Sequence, residues 1–227
     1  MKKMKIISRI IPVVMLLAIL SSCGFDNFDA PTSTLVGKVT YNGSPLNVRG
    51  TGEAIRLQLF QDGFDKRDAI ELFVGQDGAF SAKLFDGQYK MVTRDGNGPW
   101  VNSRDTTIVN VKGTTEVSLD VTPYFLISGE NISVSGSTMN ASFTVNQIVS
   151  TAGIDRAMLI LSKTQFADDV NNIFRQDFSD VSAGSVSLSA DISGNNDVAN
   201  AKALYGRVGV YAKGADQAIY SPVVKLK

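Results

Sequence analysis

The 227-residue chain holds one cysteine and no histidine. Without an imidazole there is no Ser-His-Asp or Cys-His nucleophile system, no histidine general acid or base, and no imidazole ligand for zinc. The reactive side chains that remain are the thiol of Cys23 and the carboxylates. A glycoside hydrolase needs two carboxylates facing one sugar, about 5 to 9.5 Å apart. Asp62, Asp65, Asp68, Glu71 and Asp95 instead fall in predicted turns and on predicted solvent faces, where Asp serves as a turn former. Asp62, Asp65 and Asp68 crowd one loop and would offer calcium hard oxygen ligands, but the Asp-x-Asp-x-Asp-Gly spacing of a calcium loop is missing. The carboxylates therefore predict no enzyme, no metal and no cofactor.

The position of Cys23 is more telling. Lys2, Lys3, Lys5 and Arg9 precede an apolar run from Ile10 to Leu20 of 11 residues, short of the roughly 20 needed to span a bilayer as a helix. A basic segment followed by a short apolar one predicts a secretory signal over residues 1–22. Leu20-Ser21-Ser22-Cys23 then resembles a lipobox, in which the thiol is alkylated by diacylglycerol, the peptide is cut before the cysteine and the new amine is acylated. At about 0.8 kcal/mol per buried methylene, three acyl chains hold a protein far more firmly than one. The same assignment explains the cysteine count, because a disulfide needs a pair and the exported domains must be held by their apolar cores alone. Of 22 basic and 22 acidic residues, four basic ones leave with the signal, so the mature chain has 18 against 22, a net charge of −4. A mildly acidic surface argues against nucleic acid, whose partners cluster Lys and Arg.

From Gly24 to Thr34 the chain shows no periodicity and reads as a tether. Beyond it the pattern has a period of two: Leu35, Gly37, Val39 and Tyr41; Ile55, Leu57 and Leu59; Phe80, Ala82 and Leu84; Val117, Leu119 and Val121. Such alternation predicts strands with one buried face. Asx-Gly steps at Asn42, Asp62, Asp77, Asp86, Asp95 and Asn97 mark tight turns. None follows Gly98, which suggests two modules, 35–123 and 124–227, joined at "DVTPYFLI". The second module alternates again at Met139 to Val145, Val186 to Ile192 and Val208 to Ala212. In "TQFADDVNNIFRQ", Phe166, Val170, Ile173 and Phe174 fall at helical spacing, with Thr164 as cap and Asp168 and Asp169 near the positive end. One short helix is expected there.

"LVGKVTYNG" followed by "QDGAFSAKLFDGQYKMV" resembles the prealbumin-like (transthyretin-like, carboxypeptidase-regulatory-like) sandwich, with Gly78, Phe80, Gly87 and Tyr89 on its hallmark hairpin. "LYGRVGVYA" and "YSPVVKL" are similar to the last two strands of a fibronectin type III domain. Together these predict an all-β chain of two tandem β-sandwiches, the first prealbumin-like and the second Ig- or fibronectin III-like. With the lipobox, the "FDNFDAP" tether, the "GPW" after the hairpin and the "VTPYFLI" junction, the chain resembles a Bacteroidetes lipoprotein family of unknown function, commonly found beside SusC/SusD-type nutrient-uptake genes. Asp26 and Asp29 are similar to the acidic export signal of surface lipoproteins. The resemblance implies an outer-membrane, surface-facing protein anchored by its lipid. It would assist glycan or nutrient capture with a SusC/SusD-type transporter. The alternative is a pilin-like subunit, since fimbrial proteins of the same phylum are exported as lipoproteins built from similar sandwiches and polymerise by strand insertion.

Three short features complete the candidate sites. Trp100, the only tryptophan, lies in the loop "DGNGPWV", where an exposed indole would suit a sugar or a partner. A core role is the competing reading; the expectation is an indole at least partly exposed. Asp105-Thr106-Thr107 resembles a Bacteroidetes O-glycosylation triplet with Thr106 as acceptor, and Asn131 and Asn140 match the eukaryotic N-glycosylation triplet, which has no bearing in a bacterial lipoprotein. The lipobox yields a direct prediction: Cys23→Ala releases the protein from membranes and leaves a slower-migrating, uncleaved precursor on a gel. Unchanged retention and processing would refute it.

Overall fold

The computed structural model describes residues 29–63, 66–103 and 105–227. The predicted signal peptide, Cys23, Asp26 and Asp65 lie outside them. Apart from Asp29 and Ala30, the described residues belong to one compact unit, Pro31–Lys227.

The first sandwich is built from β1 (Ser33–Tyr41), β2 (Ser44–Pro45), β3 (Arg56–Phe60), β4 (Ile70–Phe73), β5 (Ala79–Leu84), β6 (Gly87–Thr93), β7 (Thr107–Val111) and β8 (Thr114–Asp120). One sheet centres on β1, flanked by β5 and β2 on one side and by β8, in parallel, on the other. The facing sheet runs β4-β3-β6-β7. Strand alternation turns Leu35, Val39, Leu57, Leu59, Phe80 and Met91 into the core between them. β1 begins at Ser33, within the stretch read as tether, because the Ser33 hydroxyl donates to Asp86 and accepts from the Gly113 N–H at 2.8 Å. The Asp77-Gly78 step is a turn as expected, and only glycine fits it. Gly78 has φ +77°, and a Cβ there would lie 2.6 Å from the Leu46 carbonyl oxygen.

The second sandwich contains β9 (Phe125–Ser135), β10 (Thr138–Gln147), β11 (Ile154–Ser162), β12 (Phe174–Phe178), β13 (Gly184–Asp191), β14 (Tyr205–Ala212), β15 (Ile219–Tyr220) and β16 (Val224–Lys225). Its sheets run β13-β10-β9 and β12-β11-β14-β15, with β16 also pairing β14. β11 is buried on both faces. Ala157, Leu159 and Leu161 join the main core, while Met158 and Ile160 pack with Ala167, Ala218 and Tyr220 in a second cluster.

Two expectations are overturned. No helix forms over Thr164–Gln176; the one helix among the described residues is a single turn, α1 (Asn196–Ala199), whose cap Asn195 accepts from the Val198 N–H at 2.9 Å. The cause is local. Asp168, buried to 1% exposure, turns its carboxylate onto the N–H groups of Val170 and Asn171 at 3.0 and 2.8 Å, and such side-chain bonds compete with helical ones. Of the four residues that the helical reading would bury, Phe166 and Val170 are exposed, while Ile173 and Phe174 pack against the core as the chain enters β12.

Trp100 is not exposed either. It is 2% accessible, pairs through its backbone with Pro123, and its indole lies so close to Gly98 that a Cβ there would fall 2.2 Å from the ring. The Gly-Pro-Trp sequence thus plugs the first core beside the crossing into the second sandwich, and offers no face to a ligand. Trp100→Ala is expected to cost about 3–5 kcal/mol in urea unfolding, and the wild-type emission to be blue-shifted and resistant to acrylamide. A loss below about 1 kcal/mol, the range of surface substitutions, would contradict the burial.

Candidate functional site: an aromatic groove on the first sandwich

A groove of about 610 Å³ is lined by β1, β5 and β8 of one sheet and by the chain leaving β4 of the other. Register builds its floor: Val36 of β1 faces Ser81 of β5 on one side and Glu116 of β8 on the other, so the three side chains form a row, and Lys38 follows two residues along the same face. One wall is Phe73-Val74-Gly75, the chain leaving β4, and Gly50 and Glu53 also line the groove. Phe73 is 41% exposed. It sits opposite Arg56 in the β3–β4 ladder, and the Arg56 guanidinium lies 5.2 Å from the ring centre, a cation–π contact that steadies the ring. The side chains of Lys38, Glu53, Ser81 and Glu116 make no hydrogen bond or ion pair with any described residue. Glu53 holds φ +51°, a left-handed conformation that a non-glycine residue adopts at some cost. The chain thus presents an open aromatic ring beside uncommitted carboxylates, an ammonium and a hydroxyl.

The segments that wall the groove are fixed from the second sandwich. Arg207 of β14 is 1% exposed, and its Nε donates to the Ser221 carbonyl (2.8 Å) and Nη1 to that of Ala167 (3.1 Å). Nη2 crosses to the first sandwich and donates to the carbonyls of Val48 (3.0 Å) and Gln76 (3.3 Å). The guanidinium also lies 4.5 Å from the Tyr220 ring centre. Burial lowers its pKa to about 10, so it is cationic at neutral pH. The Tyr220 N–H donates to the Asn47 carbonyl at 3.0 Å. The 163–173 loop adds two carboxylate ties. Asp168 accepts from Thr51 at 2.6 Å. Asp169 accepts from the hydroxyls of Tyr220 (2.8 Å) and Tyr211 (3.1 Å) and lies 3.8 Å from Arg49.

Of the residues singled out from sequence, Thr106 is exposed just before β7, next to Asp105, which accepts from the Ser103 hydroxyl. Asp62 is bonded by Lys90 at 2.6 Å and Arg67 at 2.5 Å, and the Lys90 hydrogen bond leads the effects that hold its pKa below the usual carboxylate value. Glu71 accepts from Gln58 at 3.0 Å. Among the described residues no three His, Cys, Asp or Glu gather as a metal site. Neither Phe73 nor Arg207 stood out in the sequence. The signal for Phe73 was parity: it shares the outward face of β4 with Glu71, where an aromatic is out of place.

Residues 33–122 match the N-terminal domain of a protein family of unknown function, DUF3823, and residues 125–225 match its C-terminal domain of unknown function. A DUF3823 family protein from Parabacteroides merdae, known from a crystal structure, is 69% identical over 88% of this chain and 100% of that one, with a TM-score of 0.86. Another, from Bacteroides ovatus, is 31% identical over 86% and 98% of the two chains, with a TM-score of 0.76. A protein from Bacteroides uniformis, described as a candidate carbohydrate binding protein, shares the fold at 18% identity over 87% and 99%, with a TM-score of 0.72. No curated protein matches the chain.

The tyrosines around Asp169 make the junction sensitive to alkali. Burial, followed by the Asp169 charge, raises the pKa of Tyr211 to about 12 and pushes that of Tyr220 up further. A phenol whose pKa is higher in the folded than in the unfolded state contributes stability that is complete below about pH 10 and lost as pH climbs through the folded value. Urea midpoints of the wild type are therefore expected to decline between about pH 10 and 12, with a shallower decline in a Tyr211→Phe, Tyr220→Phe double variant. Equal slopes would contradict the coupling.

Proposed function

The chain belongs to the DUF3823 family, whose function is unknown, and from the chemistry of its own groove we propose that it is a non-catalytic glycan-capture lipoprotein. It is anchored in the outer membrane through Cys23, faces the cell surface and works beside a SusC/SusD-type importer. The observation that carries the reading is the exposed, steadied ring of Phe73 beside Lys38, Glu53, Ser81 and Glu116, none of which is committed to another described residue. A sugar offers an apolar face of C–H groups and a rim of hydroxyls. The first fits an aromatic ring and the second fits carboxylates, ammonium and hydroxyl. The volume of about 610 Å³ falls in the range of small-molecule sites. The carbohydrate-binding description attached to the Bacteroides uniformis relative agrees with this reading. The lipobox and the family resemblance support the anchor and the transporter.

Affinity electrophoresis of the purified lipoprotein through gels containing a panel of plant and host polysaccharides tests it. At least one polysaccharide is expected to retard the wild type and to be recovered with its chain length unchanged. Phe73→Ala is expected to weaken that retardation about tenfold, the equivalent of the ~1.4 kcal/mol of one stacked ring, while its half-exposed position keeps the loss of stability to about 1 kcal/mol. No retardation by any polysaccharide, or equal retardation of the variant, would overturn the groove. Shortened glycan would make the protein an enzyme.

A further inference from the structure

Between the two sandwiches a second cleft of about 290 Å³ is lined by Asn47, Gln76 and Asp77 from the first and by Gln165, Tyr205, Arg207, Pro222, Val223 and Lys225 from the second. We propose that this cleft is a binding site for an acidic saccharide, a sugar unit carrying a carboxylate.

Two observations carry it. The first is unspent polar chemistry. The side-chain amides of Asn47, Gln76 and Gln165, the Tyr205 hydroxyl and the Lys225 ammonium have no hydrogen-bond or ion-pair partner among the described residues. Thr51 and Tyr211, elsewhere along the junction, are engaged, with Asp168 and Asp169 respectively. Planar amides with both donors and acceptors suit vicinal hydroxyls, which need both. The second observation is charge. The ionisable groups lining the cleft are Asp77, Tyr205, Arg207 and Lys225. Arg207 spends four of its five N–H groups on carbonyls and none on a carboxylate. Asp168 offsets that charge only through space, its oxygens being taken by Thr51, Val170 and Asn171. Asp77 accepts from the Ala79 N–H of its own turn at 3.2 Å. Lys225 has no acidic partner at all among the described residues. Two cations thus face one acid, and the more accessible cation is free to meet an anion. A carboxylate at Lys225, with the hydroxyls of the same ring on the amides, satisfies both observations.

The proposal stands independently of the groove, and calorimetry on the purified lipoprotein separates the two. The probes are trigalacturonate and a hyaluronan tetrasaccharide, each compared with neutral galactotriose. At least one acidic probe is expected to bind tenfold or more tighter than galactotriose, with an affinity that falls as salt rises from 0.05 to 0.5 M, in line with the Debye length of roughly 10 Å at 0.1 M. Lys225→Gln is expected to cost about tenfold in affinity and Phe73→Ala nothing. Lys225 is exposed near the chain end, so the variant keeps its fold, which circular dichroism confirms; Gln165→Ala, on an exposed loop position, provides a second reading in the same direction. Failure of both acidic probes, equal binding of galactotriose, or binding lost with Phe73→Ala but not with Lys225→Gln would each overturn it.

Discussion

One buried guanidinium bonds both sandwiches at once, beside the Tyr220–Asn47, Thr51–Asp168 and Arg49–Asp169 contacts that also join them. Arg207 leaves the second sandwich and donates to the carbonyls of Val48 and Gln76 in the first. A buried cation is expensive unless its donors are satisfied, and here backbone carbonyls from both modules satisfy it. The two segments it grips are bonded to each other, the Val48 N–H to the Gln76 carbonyl at 3.0 Å, and each to β1, the Leu46 N–H to the Val39 carbonyl at 3.0 Å and the Val39 N–H to the Gly78 carbonyl at 2.9 Å. Holding Gln76 therefore holds the whole β4–β5 turn against β1.

That turn is shared property. Gly50, Val74, Gly75 and Ala79 line the aromatic groove, while Asn47, Gln76 and Asp77, from the same two segments, line the junction cleft. A capture protein gains from such an arrangement because a site that is already ordered spends little of its binding energy on ordering. The groove floor is set by strand register and its wall by the turn, so neither needs to move to accept a ligand.

The sequence carried the two-sandwich architecture well, because strand alternation and Asx-Gly turns are local signals, and one-sided burial leaves its period in the chain. It misled wherever tertiary contacts outvote local pattern. Phe166, Val170 and Ile173 have helical spacing, yet the Asp168 carboxylate bonds the N–H groups that a helix would use, because Thr51 and the junction need that loop. Trp100 sat in a loop sequence and became core because Gly98 leaves room for the indole. The uninterrupted apolar run Ala157 to Leu161 was the visible trace of a strand buried on both faces. Arg207 was legible only as one of the alternating polar positions Tyr205, Arg207 and Tyr211, which a single domain would turn to water and which here face the other sandwich. Phe73 alone marked the groove, by its parity; Lys38, Glu53 and Glu116 come together through register and a loop that no local pattern announces.

The central claim is that a preformed groove around Phe73 receives glycan without rearrangement of the junction. Amide hydrogen exchange of the protein, with and without a polysaccharide that retards it, tests this most directly. The account predicts added protection confined to residues 36–38, 50–53, 73–81 and 116, with exchange at 205–211 unchanged. Protection that spreads through β14 and the 163–173 loop, or that leaves the groove segments untouched, would contradict it.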